Sequence, residues 1–272
     1  TVAMTGDGVN DILAMKEADC SIAMASGNEA TIQAAQVALL DSDFSKMPEI
    51  VAEGRRVVNN IERSASLFLV KNIFSFLLSV FSILFALTYP LEPSQITLIS
   101  LFTIGVPSFL LALEENKNRI EGKFMFNVME KAIPGGLTDM MVVGALVVSG
   151  VSLQLNKTDV STASTMLLTA VGFLVLYKIC QPLNRFRGRI ILFCAGGIVF
   201  SVIFLHKLFS ISAISAVSIL LLIILFFAAE SIFRQLSQLI EKYSRLKNDQ
   251  RKRTLIEWLK DLFRFKFDEP KE

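Results

Sequence analysis

The chain is almost without histidine and poor in cysteine. His206 stands alone, and Cys20, Cys180 and Cys194 are scattered without metal-ligand spacing. That excludes a His/Cys metal centre and leaves the thiols as reduced, inert core residues. His206 ends an apolar run beside Lys207 and reads as an interfacial residue. Charge is scarce too: 19% of residues are charged and the net charge is +2, so nucleic acid is not an expected partner. No internal repeat, low-complexity tract or secretory signal is evident. The first residue, Thr1, falls inside a motif, and the expectation is a carboxyl-terminal piece of something longer. In excess is apolar character, with 53% hydrophobic residues over 272 positions and a mean hydropathy of +0.54. An ordinary soluble domain is not so apolar, and the composition indicates an integral membrane protein with a soluble portion.

Residues 1–47 read as alternating short strands and helices. Strand-length apolar runs at Val2–Met4, Ser21–Met24 and Val37–Leu40 are separated by helical patterns at Asp11–Glu17 and Glu29–Gln36. They predict the last βαβ units of a parallel sheet, unable to complete a core alone. From Pro48 the pattern becomes one long helix, amphipathic over 48–65 through Glu53, Arg55, Arg56, Glu62 and Arg63, and continuously apolar from Ser66. This is the pattern of a stalk that runs without a break from the soluble part into a bilayer.

Six apolar runs then occupy 66–233: Ser66–Leu87, Ile96–Leu113, Ala132–Leu153, Ala163–Ile179, Ile190–Leu205 and Phe209–Phe227. A span needs about 20 apolar residues, so the second, fourth and fifth are expected to extend into their flanks. Lys117, Arg119, Lys123 and Lys131 follow the second run, and Arg185, Arg187 and Arg189 follow the fourth. The alternate loops carry at most one lysine each. By the positive-inside rule the basic loops face the cytoplasm, and an even number of spans puts the soluble start and the tail on that side too. The tail, 234–272, is basic, with Leu255, Ile256, Trp258, Leu259, Leu262 and Phe263 at helical spacing. It is expected on the inner leaflet among membrane lipids, the alternative being a solvated helix.

The most informative string is Thr5-Gly6-Asp7-Gly8-Val9-Asn10-Asp11. Behind the strand Val2–Met4 it sets Asp7 and Asp11 at a carboxyl end, where open α/β sheets place their ligands. Paired carboxylates near backbone amides suit Mg²⁺, which keeps waters and takes substrate phosphates as further ligands. The alternative is an acidic turn that caps the helix beginning near Val9, with Asp7 or Asn10 bonding backbone N–H groups. The string resembles the hinge motif of P-type ATPases, within their phosphorylation domain of haloacid-dehalogenase type. The resemblance continues through Lys16–Asp19, Ile22–Gly27, Ala38–Asp41 and Phe44, then Glu53–Arg56 and Asn59–Ile61. It is specific over roughly the first 115 residues and afterwards mainly a match in hydropathy.

What the resemblance implies is a partial α/β domain of haloacid-dehalogenase type followed by an all-α bundle of about six transmembrane helices. It implies an ATP-driven cation pump that works through an aspartyl-phosphate. Asp7 would hold Mg²⁺, Asn10 would contact the phosphoryl group, and Asp11 would support the metal from behind. The nucleophilic aspartate and the ATP site would lie in the remainder of the same pump chain, so this piece alone would neither hydrolyse ATP nor pump. A bacterial plasma membrane is the implied location.

The first two spans would correspond to the family's fifth and sixth membrane helices, which supply ion ligands. Leu101–Pro107 resembles the sixth-helix motif, with Gly105 and Pro107 breaking helical hydrogen bonding and freeing backbone carbonyls. The chain departs from calcium and sodium pumps in having Ile104 and Ser75 where their acids stand. What remains is neutral: Asn72, Ser75 and Ser79 on one face, with Ser100 and Thr103 opposite. Asn72 and Thr103 are candidate ligands; Ser79 and Ser100 read as hydroxyls bonded back to their own helix. Lys71 lies roughly 7 Å into its span at 1.5 Å per residue and either snorkels or serves as a built-in counter-charge. Asp139, after Pro134-Gly135-Gly136, is the one carboxylate well inside a later span, either functional or wetted from the cytoplasmic end. The neutral fifth and sixth helices with Thr103–Pro107 look most like the bacterial E-type (CtpE-like) branch, which points to calcium. The rivals are a lipid flippase of the same superfamily, a non-catalytic membrane adaptor derived from a pump, and a plain phosphatase.

Overall fold

A computed structural model describes residues 2–120 and 122–248. They fall into two compact units, one of residues up to Val57 with Lys117–Arg119, the other of Val58–Asn116 with the chain from Ile120 onward.

In the first unit, strands β1 (Ala3–Gly6), β2 (Cys20–Met24) and β3 (Val37–Leu39) form a parallel sheet in the order β1-β2-β3. Thr5 lies opposite Ile22, and Ile22 opposite Val37. Helices α1 (Ile12–Glu17) and α2 (Glu29–Ala34) make the crossovers. Parallel strands require such crossovers because a tight turn cannot reverse the chain. The central strand buries Ile22 and Ala23, joined by Met15 and Leu39. Leu13 at 78% exposure and Leu40 at 85% remain uncovered. Asn28 starts α2 by accepting a bond from the Ala30 N–H at 2.9 Å. Asp43 does the same for Ser45 at 2.9 Å in the short turn before α3 (Met47–Leu84), and Pro48 sits in the first turn of α3, where its missing N–H costs nothing.

The second unit is helical. After α3 come α4 (Pro93–Ser100), a widened turn at Leu101–Gly105, α5 (Val106–Ala112), α6 (Phe124–Ser152), α7 (Lys157–Ile179), α8 (Arg185–Phe204) and α9 (Ala216–Asn248). With α4 and α5 taken together, six helices among the described residues are long and apolar enough to cross a membrane. α3 buries Glu62, Ser66, Val70, Phe74, Leu78 and Ser82, a four-residue spacing that presents one seam to the bundle. α6 and α7 lie at its centre, and Val142, Val143, Leu146, Leu167, Val171 and Leu176 are almost wholly buried.

Two details differ from the sequence reading and a third refines it. At Gly105 and Pro107 the regular helical bonding gives way, yet the second span continues through the turn. Its hydrogen bonding shifts register, the Val106 N–H reaching the carbonyl of Leu101 five residues back, and Pro107 has no N–H to return. The last span begins at Ala216, not Phe209, because Ser210 has φ +52° and the start of the helix is fixed from outside, by Asp159 bonding the Ser215 N–H at 3.1 Å. α9 then continues through Arg234 as the same helix. The apolar stripe Leu255–Phe263 lies outside the described residues.

Candidate functional site

The acidic loop follows β1 at its carboxyl end. One oxygen of Asp11 accepts the N–H groups of Asp7 at 3.2 Å and Gly8 at 3.3 Å. Asp11 thus holds the turn, the part that the capping alternative gave to Asp7 or Asn10, and the side chains of Asp7 and Asn10 stay exposed. The loop after β2 presses on it. The Asn28 N–H bonds the Asp7 carbonyl at 2.9 Å, and a Cβ on Gly27 would lie 2.4 Å from that same oxygen. Gly6 is equally constrained, with a Cβ falling 2.6 Å from Cβ of Asp11. Only glycines allow the two loops to meet this closely, and the Asp7 carboxylate is left pointing free. No cluster of three or more metal-ligating side chains occurs among the described residues. One free carboxylate backed by a second fits Mg²⁺, which draws the rest of its shell from phosphate and water.

Within the helical unit one cavity gathers several of the sequence candidates. Lys71 and Ser75 of α3, Thr103 of the widened turn and Asp139 of α6 all line it. Asn72 does not: it is exposed on another face of α3. Asp139 is only 4% exposed, and its Oδ1 has no hydrogen-bond partner. Ser100 also lines the cavity with an unpartnered Oγ. Thr103 donates to the Ile99 carbonyl at 2.7 Å, and Ser79 to that of Ser75 at 2.7 Å. Ser100 and Thr103 therefore exchange the conditions read for them from sequence. Among the lining residues that the sequence did not single out, two bear on its geometry. Tyr89 places its hydroxyl 3.4 Å from Ser75 Oγ. Gly172 gives the widened turn its room, since a Cβ there would lie 2.8 Å from Thr103 Cγ2.

At one end of the same unit the Glu114 carboxylate, just past α5, receives Arg63 at 2.7 Å, Asn184 at 2.8 Å and the Arg187 Nε at 2.9 and 3.0 Å. Burial alone would raise its pKa, but the donors from Arg187, Asn184 and Arg63 outweigh it and hold the carboxyl below its ordinary range. Glu62 of α3 pairs with Lys131 and accepts Asn127 at 3.0 Å. No sequence signal marked Glu114, a loop carboxylate in a charged stretch.

No family model matches the chain. Among curated proteins it is 43% identical over 79% of its length to a probable cation-transporting ATPase, exp7, of Streptococcus pneumoniae, covering 29% of that protein. It is 37% identical over 77% of its length to the calcium-transporting ATPase CtpE of Mycolicibacterium smegmatis, covering 28% of it. It is 31% identical over 92% of its length to the calcium-transporting ATPase type 2C member 2 of Rattus norvegicus, again 29% of that protein. The chain thus spans less than a third of the length of these relatives.

Proposed function

The chain belongs to the P-type cation-transporting ATPases, and from that premise we propose that it is the carboxyl-terminal part of a pump that drives a cation, with calcium the leading candidate, across a bacterial plasma membrane. In this reading residues 1–47 are the end of a phosphorylation domain of haloacid-dehalogenase type, 48–65 a stalk, 66–233 the family's fifth to tenth membrane helices and 234–272 a cytoplasmic tail. Asp7 holds Mg²⁺ at the phosphorylated aspartate, Asn10 meets the phosphoryl group, and Asp11 keeps the loop in shape. An Mg²⁺ held there would supply neutralisation of charge on the transferring phosphoryl group. The aspartate itself and the ATP site belong to the remainder of the protein.

One observation carries the transport reading: the unpartnered Asp139 carboxylate and Ser100 hydroxyl face one cavity that Ser75, Thr103 and Lys71 also line. Intramembrane carboxylates are expensive to bury and mark ion paths. Oxygen donors suit a hard cation such as Ca²⁺, and the Lys71 ammonium supplies positive charge when the cation has left. Calcium is favoured by the names of relatives and by the donor chemistry.

The test is ATPase activity of the purified full-length protein across Ca²⁺, Mg²⁺, Mn²⁺, Na⁺ and K⁺, with Asp7→Asn as the blank. Stimulation by one ion, lost in Asp7→Asn, is expected. Asp139→Asn should raise the half-saturating concentration of that ion roughly tenfold or more, since affinity follows the charge of the ligands. Activity indifferent to every cation but raised by lipid would move the assignment to a flippase.

A further inference from the structure

The cavity that holds Asp139 does not end at α3 and α6. A second cavity adjoins it at the α3–α4 and α6–α7 loops, and Tyr89 and Leu91 line both. These two side chains stand on the extended stretch between α3 and α4, where the backbone has left one helix and not yet entered the next. Leu91 is buried at 7% exposure, whereas Tyr89 is 36% exposed. Its hydroxyl lies at the 3.4 Å from Ser75 Oγ already noted, and the residue also lines the second cavity. That second cavity is more polar than the first. Thr88, Thr158 and Ser161 lie on its wall, with Glu92 as its one carboxylate and Lys157 as its one ammonium.

We propose that Tyr89 and Leu91 are the partition between the Asp139 cavity and an outer vestibule, and that the transported cation passes between the two by displacement of these side chains. This rests on the reading of the Asp139 cavity as the ion site. An aromatic ring on a short non-helical segment suits a gate, because that segment can change its dihedral angles without breaking a helical hydrogen-bond ladder. The vestibule offers hydroxyls and one carboxylate, which rehydrate or collect a cation without binding it tightly. The outward face of the vestibule agrees with the low positive charge around its two loops, where Lys157 at the start of α7 is the single lysine.

The experiment uses the full-length protein, reconstituted with its reactive native cysteines replaced, and an impermeant methanethiosulfonate added from the outer side. Thr158→Cys reports on the vestibule and Ser100→Cys on the inner cavity. Thr158→Cys should react at one rate whatever stands at position 89. A gate whose open state is populated at about 10% or less makes Tyr89→Ala speed the reaction of Ser100→Cys about tenfold or more. Tyr89→Phe, which keeps the ring, should leave that rate unchanged, and Leu91→Ala should raise it. An unreactive Thr158→Cys overturns the vestibule. A Ser100→Cys rate indifferent to Tyr89→Ala and Leu91→Ala overturns the partition, as does opening by Tyr89→Phe equal to that by Tyr89→Ala. Protection of Ser100→Cys by the transported cation is read separately. Its loss with the rate difference intact sinks the ion site and leaves the partition standing.

Discussion

Glu114 holds two guanidiniums that have little water of their own: the side chains of Arg63 and Arg187 are 10% and 8% exposed. Removing the shared carboxylate while leaving both cations buried is the costly way to break such a network. Glu114→Gln should therefore destabilise the helical unit by about 3 kcal/mol, read as a lowered unfolding temperature in detergent. The pH dependence follows from the sign of the shift. The carboxyl is held below its ordinary value of 4.5 in the fold, so its contribution is complete above that value and fades as pH falls through the lower, folded one. The difference between the unsubstituted protein and Glu114→Gln should stay constant from neutral pH down to about 5 and shrink only in stronger acid. Residue identity alone did not expose this cluster, because its members come from α3, the α5 end and α8, far apart in sequence. The Asp7 loop was legible as an acidic turn behind β1, but not its closure by Asp11 or its contact with Asn28, which the fold brings up from the next loop. The hydroxyls were not legible. Whether Ser100 or Thr103 bonds back to its own helix depends on what the neighbouring helix allows, and Gly172 opposite Thr103 is not visible in the periodicity of either span.

Among elements, the α4–α5 span shows most plainly how packing decides what pattern cannot. Hydropathy located this span, and Gly105 and Pro107 marked its irregular turn, but their presence does not say whether the helix stops or widens. It widens because Phe102 and Thr103 are accommodated by glycines on α8 and α7. A Cβ on Gly197 would lie 2.1 Å from Phe102 Cε1, while one on the adjacent Gly196 would meet nothing within 4 Å. The pair provides its own control. Gly197→Ala should cost about 1–3 kcal/mol through overpacking and, by shifting the turn that carries Thr103, weaken activation by the transported ion. Gly196→Ala should leave ion activation alone and stabilise α8 by up to about 1 kcal/mol, the ordinary helix preference for alanine. Equal effects of the two on unfolding temperature and ion dependence would show that the Phe102 contact does not shape the turn. The start of α9 makes the same point at an element boundary. The apolar run extends back to Phe209, yet the helix waits for Ala216, because Asp159 on α7 accepts the Ser215 N–H from 56 residues away and the Ser218 hydroxyl at 3.2 Å.

For the membrane bundle as a whole, polar ties are concentrated at its two ends, with an apolar middle interrupted by the Asp139 cavity. At one end Glu114 joins α3 to α8, and Glu62 joins α3 to α6 through Lys131 and Asn127. At the other, Gln95 accepts Ser161 at 2.7 Å and donates to the Ser210 carbonyl at 3.0 Å, so α4, α7 and the α8–α9 connection are held together. Polar side chains can satisfy one another cheaply near water, and only a functional demand retains them between those layers. The charges divide along the same axis. Lys123, Lys131, Arg185, Arg187 and Arg189 lie at the Glu114 end, whereas the Gln95 end has Lys157 and Lys207. Six spans with that asymmetry predict the Glu114 end inside and the Gln95 end outside. In intact cells an impermeant thiol reagent should label Lys207→Cys, and label Lys123→Cys only after permeabilisation. Labelling of both without permeabilisation would break the six-span count between these positions. Labelling of Lys123→Cys alone would invert the bundle and turn the vestibule beside Tyr89 towards the cytoplasm, so that the same gate would stand on the opposite side of the ion site.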